Sequence, residues 1–540
     1  MEVLMNTAQA LIASLEHEGI NYVLGIPGEE NLDLLNALES SKITYIVTRH
    51  EQAAGFMAAT IGRLTGLPGV ALSTLGPGAT NLVTPAAYAQ LGAMPFLMIT
   101  GQKPIRHSKQ GAFQIINVVE MMDPITKFSK QVVEGSMIGS TVREALRLAT
   151  LERPGAALIE LPEDIAGEEI SFKPFPITQS RRPIPDEKAI TRAIEVLKTA
   201  KKPLIVIGAG ANRKRTSNML TKMVTTLNIP FVNTQMGKGV VDESLPQYGG
   251  TAALSANDYV HKTIDQADVI INVGHDVVEK PPFIMHGERT VIHVNFDSAS
   301  VNDIYYPQIE VVGDIANAIW QLTEKLESIK TEWDTDYHVP ARTALEKDFN
   351  EHVKAAKTIT PQVVVNTVRD CVSGDGIVAL DNGMYKIWFA RHYQTRSENT
   401  LLLDNALATM GAGLPSAMAA KLVYPDKPVV AVVGDGGFMM NSQELETAMR
   451  LNQHLVVLIL NDQSYQMIRW KQGMDSMPDF GLSFQNPDFV AYAESYGANG
   501  HRATNPEELQ KQLTAALEAG SGVHVIDVTT DYSSNTKDLL

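Results

Sequence analysis

Two aspartates, Asp435 and Asp462, stand 27 residues apart in the stretch PVVAVVGDGGFMMNSQELETAMRLNQHLVVLILNDQSYQMI, which begins at Pro428. It reads as a buried strand, a turn through Gly434, Asp435, Gly436 and Gly437, a helix, and a second buried strand ending at Asn461-Asp462. That separation suits one crossover between parallel strands. Ligands of such sheets bind at the carboxyl ends of the strands, where both aspartates fall. Two carboxylates there could hold magnesium, a hard cation that shares its oxygen ligands with phosphate. Gly434 and Gly436 would let the backbone approach a diphosphate closely. Asn441, with Glu444 three residues on, reads as a capped helix start whose positive end faces the anion. The turn alone equally allows Asp435 to cap a helix. The second acidic strand end moves the reading to metal and phosphate.

Glu51 is the next candidate, at the strand-to-helix junction of YIVTRHEQAAGFMAATIGRLTG. A glutamate beginning a helix is by itself an ordinary dipole-favoured residue. VIGAGANRKR, from Val206, is only a partial glycine fingerprint with no clear acidic residue about twenty positions on. A tight turn after a buried strand explains it.

The elements that must position these residues repeat along the chain. Strand-like YVLGI, TYIVT, VALST, FLMIT and AALIEL alternate with helix-like runs such as TVREALRLATL, and the N-terminal MEVLMNTAQALIASLEHEG reads as an amphipathic helix. SFKPFPITQSRRPIPDEK reads as a proline-rich linker. PLIVIGAG, IPFVN, DVIINVG and TVIHVNFD form a second set; GIVALD, PVVAVVG, LVVLILN and VHVIDV form a third. The expected fold is α/β: three consecutive doubly wound parallel-sheet domains, at residues 1–170, 188–325 and 360–540.

Composition bounds the function. A formal charge of −16 argues against nucleic acid, whose phosphates need clustered cations. No apolar run approaches the roughly 20 residues of a membrane span. The N-terminus lacks a basic segment followed by an apolar one. The single cysteine, Cys371, excludes an internal disulfide and fits a reducing cytosol, so a cytoplasmic protein is expected.

The GDG turn, the spacer and the asparagine-containing strand end resemble the motif of thiamine diphosphate-dependent enzymes. The resemblance implies that magnesium is held by Asp435, Asp462 and the carbonyl of Ser464, with the diphosphate against Gly434, Gly436 and Gly437. It makes Glu51 the carboxylate that bonds the cofactor's pyrimidine N1′ and thereby promotes proton loss from the thiazolium. TMGAGLPSAMAAKL, from Thr409, resembles the segment that bends the cofactor, with Met410 as its hydrophobic wedge. GIPGEENLDLLNAL from Gly25 and STLGPGATNLVTPAAYA from Ser73 resemble first-domain loops near the reacting centre.

KQGAFQ, at Lys109 to Gln114, resembles the AFQ of acetolactate synthases, which places Phe113 and Gln114 at the reaction; His107 is the one histidine near the paired position of decarboxylases. NDQSYQMIRWKQ and SFQNPDFVAYAESYGANGHR are also similar to acetolactate synthases, and bring Tyr465, Gln466 and Met467 against the cofactor and Ile468 and Trp470 toward the acceptor. Gln466 replaces a glycine common at its position, and Asp462 an asparagine.

The implied reaction decarboxylates pyruvate and joins the two-carbon unit to a second 2-oxo acid, giving 2-acetolactate. The implied assembly is a homodimer or homotetramer with active sites between subunits. GHDVVEK, at Gly274 to Lys280, lacks the arginine of the FAD-binding members, which argues against FAD. Other readings are a 2-oxo acid decarboxylase that releases an aldehyde, a yellow flavin-dependent oxidase, and a non-catalytic nucleotide-binding protein. The last would have no use for Glu51.

Overall fold

The structure is a computed structural model describing residues 3–106, 111–178, 182–254, 258–279, 284–285 and 287–533. Its strands are β1 (Val3–Asn6), β2 (Tyr22–Gly25), β3 (Thr44–Val47), β4 (Gly69–Ser73), β5 (Phe96–Gln102), β6 (Phe128–Gln131), β7 (Ala156–Pro162) and β8 (Glu169–Phe172), then β9 (Pro203–Ile207), β10 (Phe231–Thr234), β11 (Tyr248–Ala252), β12 (Val269–Val273), β13 (Thr290–Asn295) and β14 (Ile309–Val312). The last set is β15 (Ile377–Leu380), β16 (Leu401–Leu402), β17 (Val429–Gly434), β18 (Leu455–Asn461), β19 (Asn499–Ala503) and β20 (Val523–Thr529).

They form three six-stranded parallel sheets, ordered β3-β2-β4-β5-β7-β6, β11-β10-β9-β12-β13-β14 and β16-β15-β17-β18-β20-β19. The three-domain α/β class is therefore observed. Inner strands such as β5, β9 and β18 are continuous apolar runs because helices on both faces of a parallel sheet leave no wet side. Strands absent from the sequence reading are mostly short edge strands of mixed composition, such as FSKQ in β6 and NGHRA in β19.

One expectation fails at the N-terminus. Val3–Asn6 pair antiparallel with β8, and the helix starts only at Thr7. Asn6 stops it from reaching further back: its side chain accepts from Gln9 N while the Gln9 side chain accepts from Asn6 N, a reciprocal cap. The same pairing takes Ser171 and Phe172 out of the supposed linker.

The chain packs as two compact units, Met1–Ser180 with Gly411–Asp426 and Phe438–Gln453, and Arg181–Met410 with Lys427–Gly437 and His454–Leu540. In the first unit the helices Thr7–His17 and Ile138–Thr150 pack Leu11, Leu15, Val142 and Leu146 on the first sheet's Leu97 and Ile159. The helix Glu51–Thr65 lies against Gly413–Val423, joined by Thr60 and Ser416 hydroxyls 3.0 Å apart. In the second unit Ala209, Met236 and Ala253 of the middle domain pack into the third sheet's core. Buried ion pairs fasten that unit, Lys238 to Glu243 at 2.8 Å and Arg391 to Asp258 at 3.1 Å. Among the described residues no helix is long and apolar enough to cross a membrane.

Candidate active site

In the second unit, β17 ends at Gly434, whose N–H donates to the buried Tyr385 hydroxyl at 3.0 Å. A short helix, Asp435–Asn441, begins at the next residue. Asp435 is buried and collects donors: Gly436 N on Oδ1 at 2.8 Å, and Gln463 N at 2.7 Å, Asp462 N at 3.2 Å and Asn486 Nδ2 at 2.8 Å on Oδ2. Gln463 has φ +57°, a left-handed turn at the end of β18 whose N–H meets Asp435.

The neighbouring strand end supplies Asp462, whose Oδ2 accepts from Gln466 Nε2. Asn461 is engaged elsewhere, donating to Asp527 at 2.9 Å and accepting from Asn486 at 3.0 Å, so the residue left beside Asp435 is Asp462. Burial and then the charge of Asp435 push the Asp462 carboxyl up to about 7. Burial also raises Asp435. Arg469, whose charge pulls the Asp462 carboxyl the other way, forms its ion pair with Asp479 at 2.9 Å.

A buried carboxylate beside a half-buried one, with no ion-pair partner among the described residues, is costly, and a divalent cation relieves that cost. Ser464 stands beside them with a buried hydroxyl that has no partner, and its carbonyl accepts from Gln466 N at 3.1 Å. Among the described residues no three His, Cys, Asp or Glu side chains gather into a metal cluster, so a cation here would draw its other oxygens from backbone, water or phosphate. The donor set fits magnesium with a diphosphate. A cavity of about 760 Å³ opens beside Asp462, lined by Gln463, Gln466, Arg469 and Trp470 among others.

The other predicted residues of this unit take mixed positions. A Cβ at Gly436 would sit 2.7 Å from the Tyr465 ring, which itself packs at a tilt against Phe484 with centroids 5.0 Å apart, so this glycine admits the ring against the turn. Met467 packs partly buried against the third core, Met410 is half-buried, and Gly437 lies buried in the helix. The expected helix cap at Asn441 is not formed. Asn441 ends the helix that Asp435 begins, and its amide donates to Gly411 O at 2.7 Å.

Glu444 is likewise no partner in a cap. In the first unit its buried carboxylate accepts from Arg49 N at 3.0 Å and His50 N at 3.1 Å, fixing the turn before Glu51. His50 Nδ1 then accepts from Gln52 N at 3.0 Å and caps the helix. Glu51, its first residue, is buried, and Asn81 Nδ2 donates to its Oε2 at 2.9 Å. The buried Tyr45 phenol is pushed up by burial and by the Glu51 charge.

Gln114 has φ +59°, and its carbonyl would lie 2.8 Å from a Cβ at Gly76. The structure thus brings the turn at Gln114 alongside the loop that carries Asn81, although Phe113 is 61% exposed and Gln114 is exposed too. His107, Lys109 and Lys280 lie outside the described residues.

Asn81, Asn486 and the anchoring role of Glu444 were not singled out from sequence. Asn81 stands in a glycine-rich loop already of interest, which is a usable signal. Asn486 is 51 residues from Asp435, and nothing local ties the two together.

Three parallel α/β domains, the third with an acidic carboxyl edge, define a class that family models identify. The thiamine pyrophosphate enzyme N-terminal TPP binding domain matches residues 5–121, the central domain 190–322, and the C-terminal TPP binding domain 381–528. The chain is 33% identical to acetolactate synthase of Bacillus subtilis (98% of this chain, 94% of the relative) and 31% identical to the catabolic acetolactate synthase of Raoultella terrigena (98% and 95%). It is 30% identical to the putative thiamine pyrophosphate-containing protein YdaP of Bacillus subtilis (96% and 91%). The chain belongs to the thiamine pyrophosphate enzyme family, in the group that contains the acetolactate synthases.

Proposed function

We propose that the protein is a decarboxylating carboligase that joins the two-carbon unit of pyruvate to a second 2-oxo acid, giving 2-acetolactate from two pyruvates. Near full-length similarity to acetolactate synthases carries this reading, and the carboxylate pair without an ion-pair partner supports it. Asp435, Asp462 and the Ser464 carbonyl would hold magnesium and, through it, a diphosphate lying against Gly434, Gly436 and Gly437. Bound there, thiamine diphosphate would supply a cationic thiazolium ring able to take up the electron pair left as carbon dioxide departs.

The chain's own residues then have distinct tasks. Asn81 fixes Oε2 of Glu51, which orients the carboxylate to hold a proton at the pyrimidine N1′. Met410 supports the ring system, and Tyr465, Gln466 and Met467 flank it. Phe113 and Gln114 border the acceptor. The exposed apolar residues Ile468, Met477 and Phe480 suit a subunit contact, in keeping with a homodimer or homotetramer whose sites lie between subunits. The expected setting is the cytoplasm, with small 2-oxo acids as the partners.

The test is NMR product analysis of purified protein with pyruvate, magnesium and thiamine diphosphate, with and without FAD. Acetolactate formed without FAD is the expected result. Acetaldehyde alone would replace the reading with a decarboxylase, and unconsumed pyruvate would overturn the donor. Glu51→Gln should lose turnover by about 10²–10⁴-fold while retaining cofactor. Full activity in that variant would remove Glu51 from its role.

A further inference from the structure

The middle sheet has the strand order of a dinucleotide-binding fold: β9 is first, β10 and β11 run to one side, and β12, β13 and β14 to the other. Its switch point lies between β9 and β12, and the crevice at their carboxyl ends is where such sheets take a ligand. A phosphate there is held by free backbone N–H groups of the first strand-to-helix turn. In this protein that turn is Gly208 to Asn212.

Each N–H of the turn is already engaged within the chain. Gly208 N donates to Val273 O at 2.8 Å, Gly210 N to Gly274 O at 2.9 Å, Ala211 N to Gly208 O at 3.1 Å and Asn212 N to Ala209 O at 3.1 Å. The remaining donor, Ala209 N, bonds the carboxylate of Glu279 at 2.8 Å. The other oxygen of Glu279 accepts from Met236 N at 3.3 Å, in the turn after β10. Glu279 itself follows β12, so one carboxylate ties together the turns of three adjacent strands.

The glycines have the same explanation. A Cβ at Gly208 would lie 2.5 Å from the Gly274 carbonyl oxygen, and one at Gly210 would lie 3.0 Å from it. They are small because Gly274, just past the end of β12, packs on them. Glu279 is 4% exposed, so the carboxylate lies inside the crevice and not at its rim.

We propose that Glu279 occupies the phosphate position of the middle domain's crevice, so that this domain binds no dinucleotide and its anion site is filled by its own chain. The proposal does not depend on the reaction assigned above. It predicts that full-length protein loaded with magnesium and thiamine diphosphate shows no saturable binding of FAD or ADP in equilibrium dialysis up to about 1 mM.

Glu279→Ala should lower the melting temperature by about 3 °C or more. Acetate or inorganic phosphate should restore part of that loss in the variant and leave the wild type unmoved. If the alanine variant does not fold, Glu279→Gln keeps the shape but faces an N–H with a donor. It should melt below the wild type and show no response to anions. Saturable FAD or ADP binding by the wild type would overturn the proposal. So would an alanine variant indifferent to both anions, or a glutamine variant as stable as the parent.

Discussion

The carboxyl edges of the middle and third sheets are built from the same turn between strand and helix, yet they treat buried charge in opposite ways. At the middle edge Glu279 accepts from two backbone N–H groups, although burial still holds its carboxyl up at about 7, and Glu243 is balanced by Lys238 at 2.8 Å, Asn233 at 2.9 Å and Thr395 N at 2.9 Å. At the third edge Asp435 and Asp462 stand together, and Arg469 makes its ion pair with Asp479. A balanced edge closes on itself and fastens the unit. An edge left with surplus negative charge gains stability when something positive arrives, which is what a cofactor site requires.

The sharpest way to break this contrast is Asp435→Ala, which strips the carboxylate from four donors and from the proposed metal. Titration of thiamine diphosphate at fixed magnesium should show affinity lower by roughly 100-fold or more, and chelation of the wild type should mimic it. Unchanged affinity would mean that the third edge is not a metal site. Lys238→Met attacks the balanced edge instead and leaves Glu243 buried without its cation. We expect about 3–5 kcal/mol of stability to be lost on thermal or denaturant unfolding, with no change in metal titration.

Asp462→Asn sharpens the comparison more gently, because it removes the like charge but keeps an oxygen ligand. Magnesium affinity should weaken within about tenfold while the metal-free protein becomes more stable; a larger loss of affinity would mean that the second charge is indispensable. The last effect concerns pH. Burial pushes Glu279 up to about 7 from 4.5, so the folded chain retains a proton that the unfolded chain has released. Its contribution therefore falls as pH rises from about 4.5 through 7. Glu279→Gln should flatten that slope by up to about 3 kcal/mol over the window, read from melting temperatures across pH.

Legibility in the sequence followed locality. The inner strands could be read because parallel sheets bury both faces, and β17 and β18 were located with Asp435 and Asp462 at their ends. The cap at Asn441 was misread because GDG starts its own helix, so the polar residue six positions on falls at that helix's end. The strand β1 was missed because its partner lies beyond residue 168. Asn81 and Asn486 reach their carboxylates across 30 and 51 residues, a distance at which no periodicity speaks.

By itself, then, the sequence determined the alternation of elements, the acidic strand ends and the glutamate at a helix start. These rest on local rules of burial, chirality and turn geometry. Only the tertiary structure decided which donors orient each carboxylate, which buried charges are balanced, and that Glu279 fills the middle crevice. Those outcomes depend on groups brought together by packing, where the low dielectric makes each pairing or its absence weigh most.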